Sequence, residues 1–326
     1  MTFLNALLLE REPGTGLGYQ NQPDYNFYSC KPMKGSAISL DLMQTQNTEN
    51  FNIVENKYTL HRRFDRMGRL VGDEMMKKLF NTHVMIIGLG GVGSWAAEAL
   101  ARSGAGKITI IDFDEICITN ANRQIHALQG LVGQKKSAVM AERLKKINPQ
   151  ASVESLPLFY SKDTAAEILA LQPDYIVDAI DNLTAKTHLL NECRTRGIKV
   201  ITSGGASGKM DPTRIKIIDL AQTNIDPLSH SVRKILRQEY AFPKEKFFNI
   251  PCVFSDEVPI QPIELNYDNG QGFKCVCPQG EIDPHGCMHR LVIYGTAGFV
   301  TGAFGLAMAS WVVRDLTQTK PAEVSL

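Results

Sequence analysis

A chain of 326 residues, 44% hydrophobic and 21% charged, fits one large or two ordinary soluble globular domains with ample core. Its formal net charge of +1 excludes a global electrostatic pull toward nucleic acid. Seven cysteines are an odd number, and the short apolar run at 3–9 has no basic residue before it. Both point away from a secreted disulfide framework and toward a reducing, cytoplasmic setting.

In chain order, residues 1–56 show little periodicity and are rich in Asn, Gln, Gly, Pro and Ser, the composition of a loose extension. A folded domain is expected over 57–326, with a core at 80–205 and a substrate and C-terminal part at 206–326. Arg62-Arg63-Phe64-Asp65-Arg66 leads into a helix near 72–80. Strands are expected near 83–87, 108–112, 153–157, 174–178 and 199–202, and helices near 92–103, 134–147, 163–171 and 184–196. This alternation predicts an α/β fold, a doubly wound Rossmann-like parallel sheet. A further strand near 214–218 and a helix near 228–239 follow, then an irregular Pro/Cys/Gly-rich stretch from 242 to 289. Residues 291–313 carry no formal charge and lie between Arg290 and Arg314, long enough to span a membrane. Gly, Ala, Ser and Thr dilute that segment, which favours a helix buried in the fold or at a subunit interface over membrane association.

The chemistry concentrates at the start of the alternating region. An apolar run enters Gly88-x-Gly90-Gly91-x-Gly93, a strand feeding a glycine turn that opens a helix, where phosphates can approach backbone N–H groups. A second strand ends at Asp112, whose carboxylate can accept ribose hydroxyls. So far a nicotinamide oxidoreductase fits equally. Asn122-Arg123-Gln124 and Gly133-Gln134-Lys135-Lys136 add an arginine fork and a lysine point charge, which suit a triphosphate under attack better than a dinucleotide. Asp178-x-x-Asp181-Asn182 follows the fourth strand. Asp181 is the magnesium candidate, since hard oxygen ligands suit that ion, whereas Asp178 fits a structural strand-end acid equally.

These motifs, in this order, resemble the ubiquitin-activating-like adenylating family, which includes the activators of molybdopterin and thiamine sulfur carriers. The resemblance implies ATP and magnesium, ribose binding by Asp112, phosphate contacts from Arg123 and Lys136, and magnesium at Asp181. The segments 202–213, Asp219-Leu-Ala-x-Thr223, Asp226-Pro227-Leu228 and Cys252-Val-Phe-Ser255-x-Glu257 resemble the branch acting on threonylcarbamoyladenosine beside the tRNA anticodon. For that branch the implied activity is ATP-dependent dehydration by adenylation of the threonyl carboxylate and ring closure. A homodimer, tRNA, a cysteine desulfurase or sulfur acceptor, and a monovalent cation are the partners and ions it implies. The alternative within the family is a sulfur-carrier protein adenylyltransferase.

Other chemistry-bearing residues stay open at this level. Cys252 reads as a covalent acceptor, a sulfur-relay contact or a structural thiol. Cys275-x-Cys277 and Cys287-x-His289 supply four soft ligands for zinc, but the two Cys-x-x-Cys pairs usual for zinc in the family are missing. Arg63, Arg66 and Arg69 read as residues reaching across a dimer or as surface charges. Between 186 and 237, ten basic residues stand against four acids, either a polyanion-binding surface or a solvated face.

Overall fold

The alternating segments assemble into one seven-stranded sheet in a computed structural model that describes residues 62–263, 265 and 294–318. The chain divides into two units, Met1–Tyr58 and Thr59–Leu326, and the described residues all lie in the second. The strands are β1 (His83–Ile87), β2 (Lys107–Ile111), β3 (Ser152–Leu156), β4 (Tyr175–Asp178), β5 (Lys199–Ser203), β6 (Ile215–Asp219) and β7 (Pro251–Ser255), in the order β3-β2-β1-β4-β5-β7-β6. Every pairing is parallel except that of β6 with β7. The strand order reverses between β1 and β4, the crevice where open α/β sheets bind ligands outside the carboxyl ends of their strands.

β1 is buried throughout, and its side chains alternate between two cores. Val84 and Ile86 join one cluster, Met85 and Ile87 the other. The helices are α1 (Asp65–Phe80), α2 (Gly93–Arg102), α3 (Lys136–Ile147), α4 (Ala165–Leu169), α5 (Leu183–Arg196), α6 (Pro227–Glu239) and α7 (Gly298–Thr317). Leu189, Leu190, Val232 and Leu236 of α5 and α6 cover one face, whereas Leu100, Met140, Phe304, Met308 and Val312 of α2, α3 and α7 cover the other.

Three departures from the sequence expectation have local causes. α1 begins at Asp65 rather than near residue 72, and Gly72 breaks it with φ 78 and ψ 167, outside helical geometry. The stretch expected to be irregular from 242 contains β7, which sits inside the sheet between β5 and β6. Its apolar run is only three residues long, but Pro251 is tolerated at a strand's first position. The terminal helix runs over Gly298–Thr317, several residues later than expected, and carries Arg314 and Asp315 in its last turn; residues 291–293 lie outside the described residues.

By length and composition α7 could cross a membrane, yet much of its surface is buried inside the fold. Gly302 lies against the Trp95 ring of α2, and a Cβ at Gly305 would stand 2.4 Å from the Val92 carbonyl oxygen. The small residues therefore serve close helix–helix approach within the protein. Trp311 donates Nε1–H to Tyr175 Oη at 3.0 Å, and Asp315 pairs with Lys199 at 2.9 Å, so the helix is also tied to β4 and β5.

This packing predicts the effect of one methyl group. In an exposed helix Gly→Ala gains about 1 kcal/mol, but at Gly305 the clash is with backbone that cannot turn aside. Gly305→Ala should destabilise the protein by about 1–3 kcal/mol in urea unfolding. A stabilised variant would contradict the packing.

Candidate functional site

The strand order brings three loops side by side at the carboxyl edge: the glycine turn after β1, the Asp112–Asp114 loop after β2, and residues 179–182 after β4. Two positions of the glycine turn, 88 and 93, admit no side chain. Gly88 has φ +91, and a Cβ there would lie 2.8 Å from the Ala179 carbonyl oxygen, whereas one on Gly93 would lie 1.8 Å from that of Gly88. At Gly90 nothing lies within 4 Å of an added Cβ, so the turn is open on that side. Gly91 faces the Thr301 side chain of α7. The turn delivers the chain into α2, whose first turn has no side-chain cap, leaving N–H groups suited to an anion.

Asp112 holds this turn in place. Its Oδ2 accepts the Leu89 N–H at 2.6 Å and its Oδ1 the Asp114 N–H at 2.9 Å. Burial pushes its carboxyl up from the ordinary value, while Lys136 and the two amides pull it back. Two donated N–H bonds suit the ionised form, and we assign it as carboxylate. Four lone-pair sites on a carboxylate leave acceptor capacity for a ribose beside these two bonds.

Lys136 opens α3 and is buried, with its ammonium 2.6 Å from Asp114 Oδ2. Burial alone depresses its pKa, but Asp112 and Asp114 outweigh that and hold it above the usual lysine value, with Asp181 adding in the same direction. The lysine therefore stays protonated at the meeting point of three carboxylates. Asp114 had no signal in the sequence beyond its place two residues after Asp112.

The β4 loop divides its two acids by role. Asp178 is wholly buried, pairs with the equally buried Lys186 at 2.8 Å, and accepts from Thr202 Oγ1 at 2.6 Å and Ile180 N–H at 3.1 Å. It is structural. Asp181 is exposed at the end of the loop and close enough to act on Lys136. Asn182, expected to touch nucleotide, caps α5 by accepting the Ala185 N–H at 3.0 Å. A single exposed carboxylate fits magnesium, which is usually held by one or two carboxylates plus substrate phosphates. Among the described residues no cluster of three or more His, Cys, Asp or Glu could hold a metal by itself.

Arg123 is half-buried and donates Nη1–H to the Thr119 carbonyl and to Asn122 Oδ1, both at 2.9 Å. Asn122 in turn donates Nδ2–H to the Thr296 carbonyl just ahead of α7 at 2.8 Å. Gln124 is buried below them. Its Oε1, both ring nitrogens of buried His126 and the Ser137 hydroxyl have no hydrogen-bond partner among the described residues. Burial, reinforced by Lys136 and Arg143, drives His126 down to about 3, so the imidazole is neutral at working pH.

Cys252 lies in β7 with no exposed surface, and burial pushes its thiol up to about 12. Its neighbours are Ser229 Oγ at 3.9 Å and the Val253 carbonyl. This geometry presents neither a thiolate nor access to one. Beside it, Asp226 caps α6, accepts the Gly205 N–H, and lies 3.5 Å from fully buried Lys209, whose Nζ–H donates to the Gly205 carbonyl at 2.6 Å. Cys275, Cys277, Cys287 and His289 lie outside the described residues. Of the basic stretch, Lys186 and Lys209 are buried, whereas most of the other cations stay exposed while making contacts within the fold. Lys186 and Lys209 are buried in ion pairs, Arg214 and Lys216 hold Asp256, and Arg194 and Arg237 stack on Phe242 and Phe248. Of the leader arginines, Arg69 pairs with Asp65 at 3.0 Å on the surface.

Two outcomes follow from the buried groups. Lys186→Met leaves Asp178 charged and unpaired and should cost about 3–5 kcal/mol in urea unfolding; a loss under about 1 kcal/mol would place the pair outside the structural role. For His126 the folded pKa is below the unfolded one. As pH falls from 6.5 toward about 3 the unfolded chain takes up a proton that the folded chain refuses, so stability drops across that window. His126→Gln should flatten the fall in thermal midpoint between pH 7 and pH 4.5 relative to the unmodified protein; parallel curves would disprove the assignment.

Comparison with known proteins agrees with this geometry. Residues 64–325 match the ThiF family. A tRNA threonylcarbamoyladenosine dehydratase from Haemophilus influenzae is 41% identical over 261 residues, covering 79% of this chain and 94% of that protein. Solved structures of the Escherichia coli tRNA N6-threonylcarbamoyladenosine dehydratase in complex with AMP and with ATP are 36% identical, with TM-scores of 0.69 and 0.67, each covering 79% of this chain and 94% of that one. A sulfur carrier protein adenylyltransferase of Thermus thermophilus is 32% identical over 122 residues, only 37% of this chain. With a match reaching from the residue before α1 to the end of the chain, through the glycine turn, Arg123, Lys136 and the β4 loop, the chain belongs to the ThiF family.

Proposed function

We propose that this protein is an ATP-dependent tRNA threonylcarbamoyladenosine dehydratase, an adenylating enzyme of ligase type. The observation that carries the reading is the convergence of protonated Lys136, Arg123 and exposed Asp181 beside a glycine turn open at Gly90, in a chain similar along most of its length to such dehydratases. The threonyl carboxylate of the modified nucleoside attacks the α-phosphorus of ATP, pyrophosphate leaves, and an acyl-adenylate forms. The neighbouring carbamoyl group then attacks the activated carbonyl within the same molecule, expelling AMP and closing a five-membered ring with net loss of water. Because nucleophile and electrophile are tethered, proximity supplies much of the rate and no protein nucleophile is needed. A buried, protonated Cys252 agrees with that requirement.

The protein's task is to bind and to neutralise charge. Lys136 and Arg123 meet phosphate oxygens, Asp112 takes the ribose, and the α2 N-terminus faces the phosphates. Asp181 would hold magnesium, which neutralises phosphate charge when bound. The protein works on tRNA in the cytoplasm as a homodimer, with a cysteine desulfurase or sulfur acceptor and a monovalent cation as further partners under this reading. The long similarity to dehydratases, against the short one to a sulfur-carrier adenylyltransferase, favours a nucleoside over a carrier protein as substrate.

The test is mass spectrometry of nucleosides from tRNA incubated with the purified protein, ATP and magnesium. Threonylcarbamoyladenosine should lose the mass of one water, and Arg123→Ala or Lys136→Ala should lower the rate at least about 100-fold, as for loss of an oxyanion-stabilising donor. Pyrophosphate exchange on a small carrier protein without that product would replace this reading with sulfur-carrier adenylylation.

A further inference from the structure

The nucleotide half is not closed without the C-terminal helix, and the contact between them passes through Arg123. Trp95 of α2 donates its indole Nε1–H to the Arg123 carbonyl oxygen at 3.0 Å. Its ring lies 3.5 Å from the position of a Cβ on Gly302 of α7. From the other side Asn122 uses both ends of its amide. Its Oδ1 accepts from Arg123 Nη1 at 2.9 Å, and its Nδ2–H donates to the Thr296 carbonyl at 2.8 Å. Thr296 leads directly into α7, whose first residue, Gly298, comes so close that a Cβ there would stand 2.4 Å from the Asn122 carbonyl oxygen. Arg123 is thus gripped at its backbone by α2 and at its guanidinium, through Asn122, by the start of α7.

A guanidinium is a rigid planar fork, so its value for phosphate depends on the direction of its plane. Lysine tolerates misdirection because it acts as a point charge; arginine does not. We propose that Trp95 and Gly298 are positioning residues for Arg123, and that the C-terminal helix thereby sets the affinity of the site for the phosphates of a nucleoside triphosphate. Neither residue is placed to touch nucleotide in this account. The inference rests on the ATP-site reading above and extends it to two residues outside the phosphate-binding motifs.

Two variants perturb the grip from opposite sides. Trp95→Phe keeps an aromatic ring on α2 but deletes the N–H donor together with part of the indole that faces Gly302. Gly298→Ala adds a methyl group that pushes on the Asn122 carbonyl. ATP affinity of the purified full chain is measured by calorimetry for each variant, alone and combined with Arg123→Ala, with a thermal melt confirming that each is folded. Each variant should weaken ATP binding about fivefold, the worth of one neutral hydrogen bond, and neither should weaken it further once Arg123 is alanine. A general packing defect would instead weaken binding equally in both backgrounds, and that result overturns the inference. So does unchanged affinity in Trp95→Phe or, if that variant does not fold, in Gly298→Ala. No ATP binding by the unmodified chain would overturn the ATP-site reading and this inference together, whereas normal binding with silent variants overturns the inference alone.

Discussion

The buried pair of Asp178 and Lys186, 2.8 Å apart and almost wholly shielded from water, sets the geometry of the carboxyl edge. Burying two ions costs several kcal/mol each unless their remaining hydrogen-bonding capacity is met. Here Asp178 takes the Thr202 hydroxyl and the Ile180 N–H, and Lys186 also donates to the Ile180 carbonyl at 3.0 Å. The same two side chains therefore bind β4 to β5, dock α5, and fix both polar groups of Ile180. With the loop held that way, Asp181 emerges into solvent beside Lys136 at no further cost in order. Lys209 and Asp226 repeat the device one strand along, beneath Gly205.

This arrangement divides charge by depth. Acids and bases that build the edge are paired and dry, while the groups able to meet a phosphate stand at its surface or half-buried just behind it. Lys136 is the link between the two layers, kept protonated by Asp112 and Asp114 despite its burial. Such a preset field needs little rearrangement when negative charge develops. In the basic stretch between 186 and 237, Lys186 and Lys209 belong to the buried layer, while Arg214 and Lys216 pair with Asp256 at the surface.

The nucleotide half was legible because its signals are local. A strand buried on both faces writes a continuous apolar run, as in residues 83–87, and a turn with φ above zero writes glycine at 88. Arg123, Lys136 and Asp181 are singled out in the sequence by their order in a family pattern. Asn182 kept its place in that pattern but serves as a helix cap. β7 was missed because three apolar residues between a proline and two polar positions carry no usable period, and its place comes from pairing with β5 and β6 and from the helices that cover both its faces. The contacts of Asp114 with Lys136, the burial of His126 and the hydrogen bond from Trp95 to the Arg123 carbonyl left no trace either, since each depends on residues distant in sequence.

The sequence by itself determined the fold class, the glycine turn and the residue types that surround it, because strand burial, helix periodicity and glycine turns are properties of short windows. Only the tertiary structure decided what each charge and each glycine does. Asp178 and Asp181 lie three residues apart, yet one is fully buried against Lys186 and the other is exposed. Cys252 falls in a recognisable segment, yet neighbouring strands and the helix carrying Ser229 seal it from solvent. The glycines of the apolar terminal segment suit a membrane helix as well as a core helix, and the approach of Gly305 to the Val92 carbonyl is what places them in the core. In each case desolvation or steric fit is set by atoms brought in from elsewhere in the chain, and no short window of sequence contains them.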